Sequence, residues 1–572
     1  MENYSVAVVG GHFDKLFETK PRYKFINSGQ GTRKMSDIEL LEQEVNAGMD
    51  AVQVKIDGIN VGVLEILNYI MYGENWYKED INKLYSYLKN TALNGIYLQQ
   101  FLEKNNEKVL LVENFIAEKE RLGKYLAEVG DSTKYVIIST THMTSLDQIM
   151  DICQYSKSLN KNSITIVGGA LVRQLFDQDN VLWKLKVNEV LLESKGFIDV
   201  FIDEKHGEDS LLELIHDKET VNKEKWKDIQ NIIFYDDNDE LIRTRIVEEI
   251  RNVDSITVDY SKIEHIEQKK YLSVLTSRGC PHHCKFCTYH KTFKHFEPKS
   301  LEVIKKELDS IPKGKYHIRF ADDNFAVDKN RLINICKMII EAGYEFTWSC
   351  MSTPHSITEE TAKLMKESGC KLVFIGVESA NNYVLKNMNK TSKVEDYYRA
   401  IKILNEVDIE TVASIIIGYP GETQESIKDN INFINNSCVT YFQVNLLNIM
   451  PSMEVFQERH DYGLKGLMYG WRHNTLNSKE ALNEMMKIIV SAENALTNGF
   501  GIASVQATIE YLLSQGYILK EVHQMFRAYT KAIKKKVSAY MEGKSVNVET
   551  DLIQEISAVY ELYMERNVLI ES

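Results

Sequence analysis

The sequence has few cysteines, a deficit of positive charge and no long apolar runs. Eight cysteines occur in 572 residues, and the N-terminus lacks both a basic region and a long apolar segment. We therefore expect no signal peptide and a reducing, cytoplasmic environment. No stretch of eighteen apolar residues occurs, which predicts no membrane span. The formal net charge of −14 argues against broad nucleic-acid binding through phosphate neutralisation.

Three of the eight cysteines stand together at Cys280, Cys284 and Cys287, in the spacing C-x3-C-x2-C. The apolar segment 271–275 before them predicts a buried strand, and Gly279 interrupts regular structure after it. The thiols are therefore expected on one loop at the carboxyl end of a strand, where α/β folds place their chemistry. Thiolates this close in sequence can bind one soft metal centre.

Two kinds of metal centre fit the three thiols. A [4Fe–4S] cluster has four irons, so three cysteines leave one iron open to a substrate or cofactor. A structural zinc ion needs four ligands and would recruit a nearby histidine. The histidines in reach along the chain are His282, His283, His290 and His295. A disulfide is disfavoured by the low cysteine count.

Strands and helices alternate along most of the chain. Apolar runs at 4–9, 108–112, 135–139, 163–167 and 196–202 predict a doubly wound parallel sheet over 1–217. A polar linker over 218–270 contains a predicted β-hairpin at 231–245, expected to bridge two domains. A second series of six strands follows over 271–450, and helical patterns fill 451–572.

Ligands of the first sheet are expected at the carboxyl edge of its strands. Hydroxyls and glycines stand there at Ser139, Thr140, Thr141, Gly168 and Gly169. Glycines let a ligand approach the backbone, and hydroxyls can hold a phosphate. The alternative for the Gly168–Gly169 pair is a simple tight turn.

The cysteine spacing, with Phe286 before the last cysteine, resembles that of the radical S-adenosylmethionine (SAM) superfamily. The resemblance implies that the three cysteines hold a [4Fe–4S] cluster whose open iron chelates SAM. SAM would then be cleaved to methionine and a 5′-deoxyadenosyl radical that abstracts hydrogen. The strand-end segments 321–325, 376–379 and 418–422 also resemble family segments, and the six βα units suit a partial (β/α)6 barrel.

The same resemblance suggests roles for residues at the strand ends. Glu378 can accept hydrogen bonds from the SAM ribose or ammonium, and so can Asp322 or Asp323, unless the aspartates only cap a helix. Phe286 would pack on adenine. Ser379 and Gly418, in the same segments, are further cofactor-binding candidates. Cys350 is either a hydrogen donor to a substrate radical or a small buried hydrophobe.

The N-terminal α/β region resembles the cobalamin-binding domain that precedes many radical SAM enzymes. The resemblance rests on Ile-Val-Gly-Gly-Ala at 166–170 and on the segment 199–208. The D-x-H-x-x-G motif of cobalamin-dependent mutases is absent, because Gly10 and Lys15 replace its Asp and Gly around His12. Cobalamin is thus an implied cofactor, and whether His12 ligates cobalt stays open.

The segment around Trp471 and His473 resembles a subgroup that includes P-methyltransferases of phosphinate biosynthesis and relatives acting on peptides. Both residues are therefore catalytic candidates, near which a peptide or secondary metabolite would enter. The first hypothesis is a cobalamin-dependent methyltransferase acting on an unactivated carbon or a phosphinate, with flavodoxin or ferredoxin as electron donor.

Two other hypotheses compete with methyl transfer. One is a cobalamin-independent radical SAM enzyme that epimerises, cross-links or rearranges a peptide. The other is a cluster-bearing electron-transfer or sensor protein, against which the full set of family-like strand ends argues.

Overall fold

The computed structural model describes residues 4–12, 37–128, 133–143, 145–176, 187, 190–216, 221–249, 252–293, 295–499 and 504–571. The chain forms two compact units. The first comprises Met1–Thr32, Thr91–Glu264 and Lys306–Ile311, and the second Arg33–Asn90, His265–Lys305 and Pro312–Ser572. In the described part of the chain, no helix has both the length and the apolar character that a bilayer span requires.

The first unit is built on a seven-stranded sheet. In chain order its strands are β1 (Val6–His12), β2 (Val109–Asn114), β3 (Tyr135–Ser139), β4 (Ile164–Gly168), β5 (Val200–Ile202), β6 (Ile232–Tyr235) and β7 (Leu241–Arg243). They lie in the order β2-β1-β3-β4-β5-β6-β7, and the first five are parallel. This is the doubly wound order that binds ligands where the first and third strands diverge.

Helices cover both faces of this sheet. They are Leu93–Lys104, Phe115–Ala127, Leu146–Leu159, Ala170–Phe176, Glu208–His216 and Lys223–Trp226. Ala7 and Val9 of β1 pack into one apolar core, whereas Val6 and Val8 pack into another. Alternate residues of β1 are thus buried on opposite faces of the sheet, and for this reason its sequence is a continuous apolar run.

The predicted hairpin is present, as β6 and β7, but it does not bridge two domains. It continues the first unit's sheet as two antiparallel strands, so the sheet extends beyond the parallel strands predicted over 1–217. Ile232 and Phe234 are buried in the same core as Val200 of β5. The apolar side chains of the hairpin therefore place most of the predicted linker within the first unit.

The second unit contains a six-stranded parallel sheet. Its strands are β8 (Tyr271–Val274), β11 (His317–Phe320), β12 (Thr347–Ser352), β13 (Cys370–Glu378), β14 (Glu410–Ile417) and β15 (Tyr441–Leu446), with the short β9 (Ser277–Arg278) and β10 (Glu297–Pro298) forming a separate ribbon. The six strands pair in chain order. Helices Leu301–Asp309, Lys329–Ala342, Glu359–Glu367, Asn382–Asn387, Val394–Glu406 and Gln424–Asn436 connect them. The predicted α/β class with six βα units is confirmed.

Helices at both ends of the second unit's sequence pack together. The predicted C-terminal helices are Ser478–Ser491, Val505–Ser514, Leu519–Met541 and Glu549–Glu571. Helices Asp37–Val52 and Val63–Tyr72 lie against this group, although the sequence placed them within 1–217. Tyr529 Oη donates to the Val61 carbonyl at 2.8 Å, and Lys479 pairs with Glu44 at 3.0 Å. Contacts between residues more than 400 positions apart cause this difference.

Candidate functional site

The three cysteines lie on a loop that is closed at its base by the β9–β10 ribbon. Ser277 pairs with Pro298 and Arg278 with Glu297. Gly279 follows with φ +80°, and a Cβ at this position would lie 2.0 Å from the His295 carbonyl oxygen. The loop therefore begins at a point where two backbone segments touch and where only glycine fits.

Two other segments of the second unit hold the loop from outside. The Lys285 amide donates to the Met388 carbonyl at 3.0 Å, and the Lys285 carbonyl accepts from the Val455 amide at 3.1 Å. The Lys285 ammonium binds both carboxylate oxygens of Glu458, at 2.6 and 2.7 Å. The cysteine-bearing backbone is thus fixed by contacts on both sides of Cys284 and Cys287.

The three thiols share a partly buried environment. Burial raises the pKa of all three, and that of Cys284 to about 11, while the nearby Lys390 ammonium opposes the shift at Cys280 and Cys284. Cys287 also raises the pKa of Cys280 and of Cys284, and Cys280 raises that of Cys284. A bound cation is what converts such thiols to thiolates. The donor set, three thiols on one fixed loop, fits a [4Fe–4S] cluster with one iron left open.

The histidines considered as zinc ligands do not join this set. His282 stacks on His355 with centroids 6.3 Å apart, and His283 meets His290 edge to face at 5.1 Å. Among the described residues, no three or more His, Cys, Asp or Glu side chains surround a single-ion position. That statement includes the three thiols, so the zinc hypothesis has no ligand set in the described part of the chain.

The two aspartates after β11 have different surroundings. Asp322 is buried and accepts from the Thr276 amide at 2.7 Å, the Thr276 hydroxyl at 2.6 Å and the Ser277 hydroxyl at 2.5 Å. It therefore fixes the entry to the cysteine loop. Asp323 is reached by solvent, and partial burial raises its pKa to about 6 while the nearby Tyr289 hydroxyl opposes the rise.

Glu378 ends β13 in a conformation that few residues adopt. A bulge between Gly376 and Glu378 shifts the register against β14, and Glu378 has φ +65°. Its carboxylate folds back over Gly376, where a Cβ would lie 2.4 Å from Glu378 Oε1. No described residue donates a hydrogen bond to this carboxylate, whose pKa burial raises and Lys390 lowers. Such a strained, unsatisfied acid at a strand end indicates a ligand-binding position.

Lys390 is a site residue whose role the sequence did not reveal. Its ammonium donates to the Gly376 carbonyl at 2.9 Å, and its pKa is raised by the nearby Tyr397, Glu378 and Cys284 despite burial. The lysine supplies a positive charge between the cysteine loop and the end of β13.

Trp471 and His473 support the backbone after β14. Trp471 is fully buried, donates to the Leu447 carbonyl at 2.8 Å and stacks on His473 with centroids 5.2 Å apart. His473 Nε2 donates to the Gly418 carbonyl at 3.0 Å. A Cβ on Gly418 would lie 2.3 Å from the Trp471 ring. Both side chains thus reach the strand end through Gly418, with their hydrogen-bonding groups already used.

The same turn contains a buried carboxyl. Glu422 accepts from the Gly418 amide at 2.6 Å and from Asn430 Nδ2 at 3.3 Å. Burial raises its pKa to about 8. Asn430 Oδ1 in turn accepts from the Ala380 amide at 2.6 Å, so one network connects the ends of β13 and β14.

Three other predicted residues differ in their access to the site. Cys350 is fully buried near Cys336 and Cys370, where burial raises its pKa well above the ordinary value. This environment favours a small buried hydrophobe over a hydrogen donor at Cys350. Ser379 is buried, and its hydroxyl accepts from the Asn381 amide at 3.2 Å. Phe286 lies half-buried on the cysteine loop.

In the first unit, the predicted loop residues meet at the carboxyl edge of the sheet. Thr140 Oγ1 donates to the Gly168 carbonyl at 3.0 Å. A Cβ on Gly169 would lie 3.1 Å from Thr140 Oγ1. Ser139 Oγ accepts from Asn94 Nδ2 at 2.8 Å and lies 3.4 Å from Thr141 Oγ1. This cluster follows β3 and β4, close to the divergence point of the sheet.

His12 is the last residue of β1, in register with Asn114 of β2. Its side chain, like Lys15, lies outside the described residues.

Comparison with known proteins finds a family match within the second unit. The model of the radical SAM superfamily matches residues 274–434, which include the cysteine loop and the ends of β11 and β13. An uncharacterised methyltransferase of Pyrococcus horikoshii is 31% identical over 216 residues, 36% of this chain and 47% of the relative. An anaerobic magnesium-protoporphyrin IX monomethyl ester cyclase of Cereibacter sphaeroides is 24% identical over 356 residues, 60% of this chain and 55% of the relative. The chain spans about half the length of these curated relatives.

Two solved structures share the fold across more of the chain. The cobalamin-dependent radical SAM enzyme OxsB, solved with aqua-cobalamin and SAM, superposes with a TM-score of 0.52 at 15% identity, over 84% of this chain and 78% of OxsB. The radical SAM methyltransferase TsrM of Kitasatospora setae, solved with tryptophan and a SAM analogue, gives 0.52 at 17% identity, over 64% of this chain and 72% of TsrM. Residues 274–434 thus match the radical SAM superfamily, and the chain has the fold of OxsB and TsrM.

Proposed function

We propose that the protein is a cobalamin-dependent radical SAM methyltransferase that acts on an unactivated carbon, or a phosphinate, of a peptide or secondary metabolite. The observation that carries the proposal is the fixed three-thiol loop beside the unsatisfied carboxylate of Glu378, within the region that the superfamily model matches. The named methyltransferases among its relatives and fold neighbours support methyl transfer over other radical reactions.

The residues of the second unit divide the binding of cluster and SAM between them. Cys280, Cys284 and Cys287 would hold a [4Fe–4S] cluster, which when bound supplies the electron that cleaves SAM. Glu378 would accept hydrogen bonds from the ribose or ammonium of SAM, because no described residue uses its oxygens. Asp323 is the better placed of the two aspartates for a similar contact, since the hydrogen-bonding capacity of Asp322 is already used.

Lys390 would complete the SAM site as its cation. Its ammonium lies near both Glu378 and Cys284 and donates to the Gly376 carbonyl. A carboxylate is the part of SAM that a buried ammonium would attract.

Cobalamin would bind at the carboxyl edge of the first unit's sheet. Ser139, Thr140 and Thr141 offer hydroxyls there, and the Gly168–Gly169 pair keeps the backbone accessible. The strand order supports a ligand at this edge. Bound cobalamin would supply the methyl group, and flavodoxin or ferredoxin is the proposed source of electrons.

Cluster reconstitution tests the first part of the proposal. The protein is purified without oxygen, loaded with iron and sulfide, and incubated with SAM and a reductant. We expect wild type to bind four irons and to form 5′-deoxyadenosine. Cys280→Ala, Cys284→Ala and Cys287→Ala should each lose both properties. Cys438→Ser, at an exposed cysteine outside the loop, is the matched control and should retain both.

Corrinoid retention tests the second part. The same reconstituted protein is incubated with hydroxocobalamin, desalted and examined for corrinoid absorbance. Retention of one corrinoid per chain supports the methyltransferase. A protein that cleaves SAM but retains no corrinoid would instead be a cobalamin-independent radical SAM enzyme, of the kind that epimerises, cross-links or rearranges a peptide.

A further inference from the structure

One face of the second unit's sheet, here called the lumen face, is partly accessible at one position on each of four strands. Met351 on β12, Phe374 on β13, Ile416 on β14 and Asn445 on β15 are each half-exposed. Their sequence neighbours on either side are more deeply buried, as alternation along a strand requires. The strand-to-strand register places Met351 beside Phe374 and Ile416 beside Asn445.

Arg319 belongs to the same face. It pairs in register with Ser273 of β8 and Ser349 of β12, two residues before Met351. The next residue, Phe320, is fully buried on the opposite side, against Trp348. The lumen face therefore combines an apolar surface with one guanidinium at the level of the strand centres.

A buried carboxylate lies beneath this guanidinium. Glu510, from the helix Val505–Ser514, is fully buried and accepts from Tyr271 Oη at 2.5 Å, from Gln506 Nε2 at 2.6 Å and from Ser349 Oγ. Arg319 Nη1 lies 3.8 Å from Glu510 Oε2, which is too far for a hydrogen bond. The acid thus balances the charge of Arg319, while its own hydrogen bonds are made to three other donors.

The donors of Arg319 are consequently only partly used. Its side chain is 28% exposed, and despite burial the nearby Glu510 and Tyr271 raise its pKa. Asp323 also raises the pKa of Arg319, but no ion pair within 4 Å joins the two side chains among the described residues. A guanidinium has five N–H groups in a planar fork that matches a carboxylate or phosphate. Arg319 therefore has donors left for a ligand, on a side chain that solvent partly reaches.

We propose that Arg319 and the lumen face form a subsite for an oxyanion of the substrate, in which the guanidinium binds a carboxylate and Met351, Phe374 and Ile416 contact the apolar part next to it. The proposal rests on the proposed function and narrows the substrate to molecules with an acidic group beside an apolar body. SAM itself has a carboxylate, so the test must separate the two sources of this group.

Two probes of matched shape and different charge test the subsite. Phenylacetate and its neutral counterpart phenylacetamide are titrated into the full-length, cluster-reconstituted protein with SAM present, and binding is followed by ligand-observed NMR. We expect phenylacetate to bind wild type about tenfold more tightly, or better, because a charge-assisted hydrogen-bonded pair is formed. Equal binding of the two probes by wild type overturns the proposal without any variant.

Variants assign the preference to Arg319. Arg319→Gln should lose the preference for phenylacetate, and Arg319→Lys should recover part of it, since it restores the charge without the fork. Arg399→Gln, at a half-exposed arginine of the same unit away from the lumen face, should keep the full preference. Equal loss in Arg399→Gln would overturn the assignment.

Equilibrium dialysis with labelled SAM distinguishes the two carboxylates. If Arg319→Gln loses SAM affinity in parallel with phenylacetate binding, Arg319 binds the SAM carboxylate. That result would overturn the substrate subsite. Failure of wild type to cleave SAM would refute the proposed enzyme, whichever way the charge preference falls, so the two failures are separable.

Discussion

Gly279→Ala should destabilise the protein by more than the cost of a positive φ alone. Gly279 has φ +80°, and a Cβ there would lie 2.0 Å from the His295 carbonyl oxygen and 2.9 Å from its carbon. Both atoms belong to the backbone, so no side-chain rotation relieves the overlap. The ribbon that closes the loop must separate for alanine to fit.

The magnitude follows from two separable costs. The left-handed conformation costs alanine about 1–2 kcal/mol, and forcing an extra methyl into a filled space adds about 1–3 kcal/mol. Gly343→Ala measures the first cost alone, because Gly343 has φ +65° and nothing lies within 4 Å of its Cβ position. We therefore expect Gly279→Ala to lower the free energy of unfolding by about 2–5 kcal/mol and Gly343→Ala by about 1–2 kcal/mol.

Denaturant titration of the apoprotein gives these differences, and iron analysis after reconstitution gives the functional consequence. Gly279→Ala should bind well under half the iron of wild type, because Cys280 follows directly and moves with the displaced backbone. Gly343→Ala should bind the same iron as wild type. Equal stability of the two variants, together with full iron loading of Gly279→Ala, would refute the argument.

Three further perturbations have expected outcomes. Burial lowers the pKa of His317 to about 4, against about 6.5 when unfolded, so the unfolded chain alone takes up this proton as the pH falls. Wild type should then lose about 2 kcal/mol more than His317→Gln between pH 7.5 and pH 5 in urea titrations, and equal losses would contradict it. Thr276→Val removes a hydroxyl that donates to Asp322 at 2.6 Å, which should cost about 1.5–3 kcal/mol and reduce iron retention; unchanged retention would show that Asp322 does not fix the loop. Trp471→Phe leaves the Leu447 carbonyl without its donor and should cost about 1–3 kcal/mol in chemical unfolding, whereas no loss would show that water replaces the indole.

The sequence predicts the strands of both units well because their residues are buried on two faces. Val6 and Val8 belong to one core and Ala7 and Val9 to another, so the apolar run identifies the strand without knowledge of its neighbours. The grouping of elements is harder to predict. Helices Asp37–Val52 and Val63–Tyr72 pack with C-terminal helices through contacts such as Tyr529 to Val61, and no local pattern contains such a contact.

The candidate site divides in a similar way. Cys280, Cys284 and Cys287 lie within eight residues, so their spacing alone predicts a shared centre. Arg319 was not singled out, because its position on the lumen face depends on the register of three strands. A resemblance makes Trp471 and His473 catalytic candidates, whereas their hydrogen bonds to Leu447 and Gly418 give them a supporting position.

Glu378 and Asp322 show why the residue type alone cannot separate a ligand-binding acid from a structural one. Both follow or end a strand of the same sheet, and both are carboxylates beside the cysteine loop. Asp322 accepts three hydrogen bonds from Thr276 and Ser277, so a ligand would have to displace them. Glu378 has a bulge, a positive φ and no described donor, which together cost free energy that the fold alone does not recover. A conformation retained at that cost supports our proposal that a ligand forms the missing hydrogen bonds, and it favours Glu378 over either aspartate as the SAM contact in that proposal.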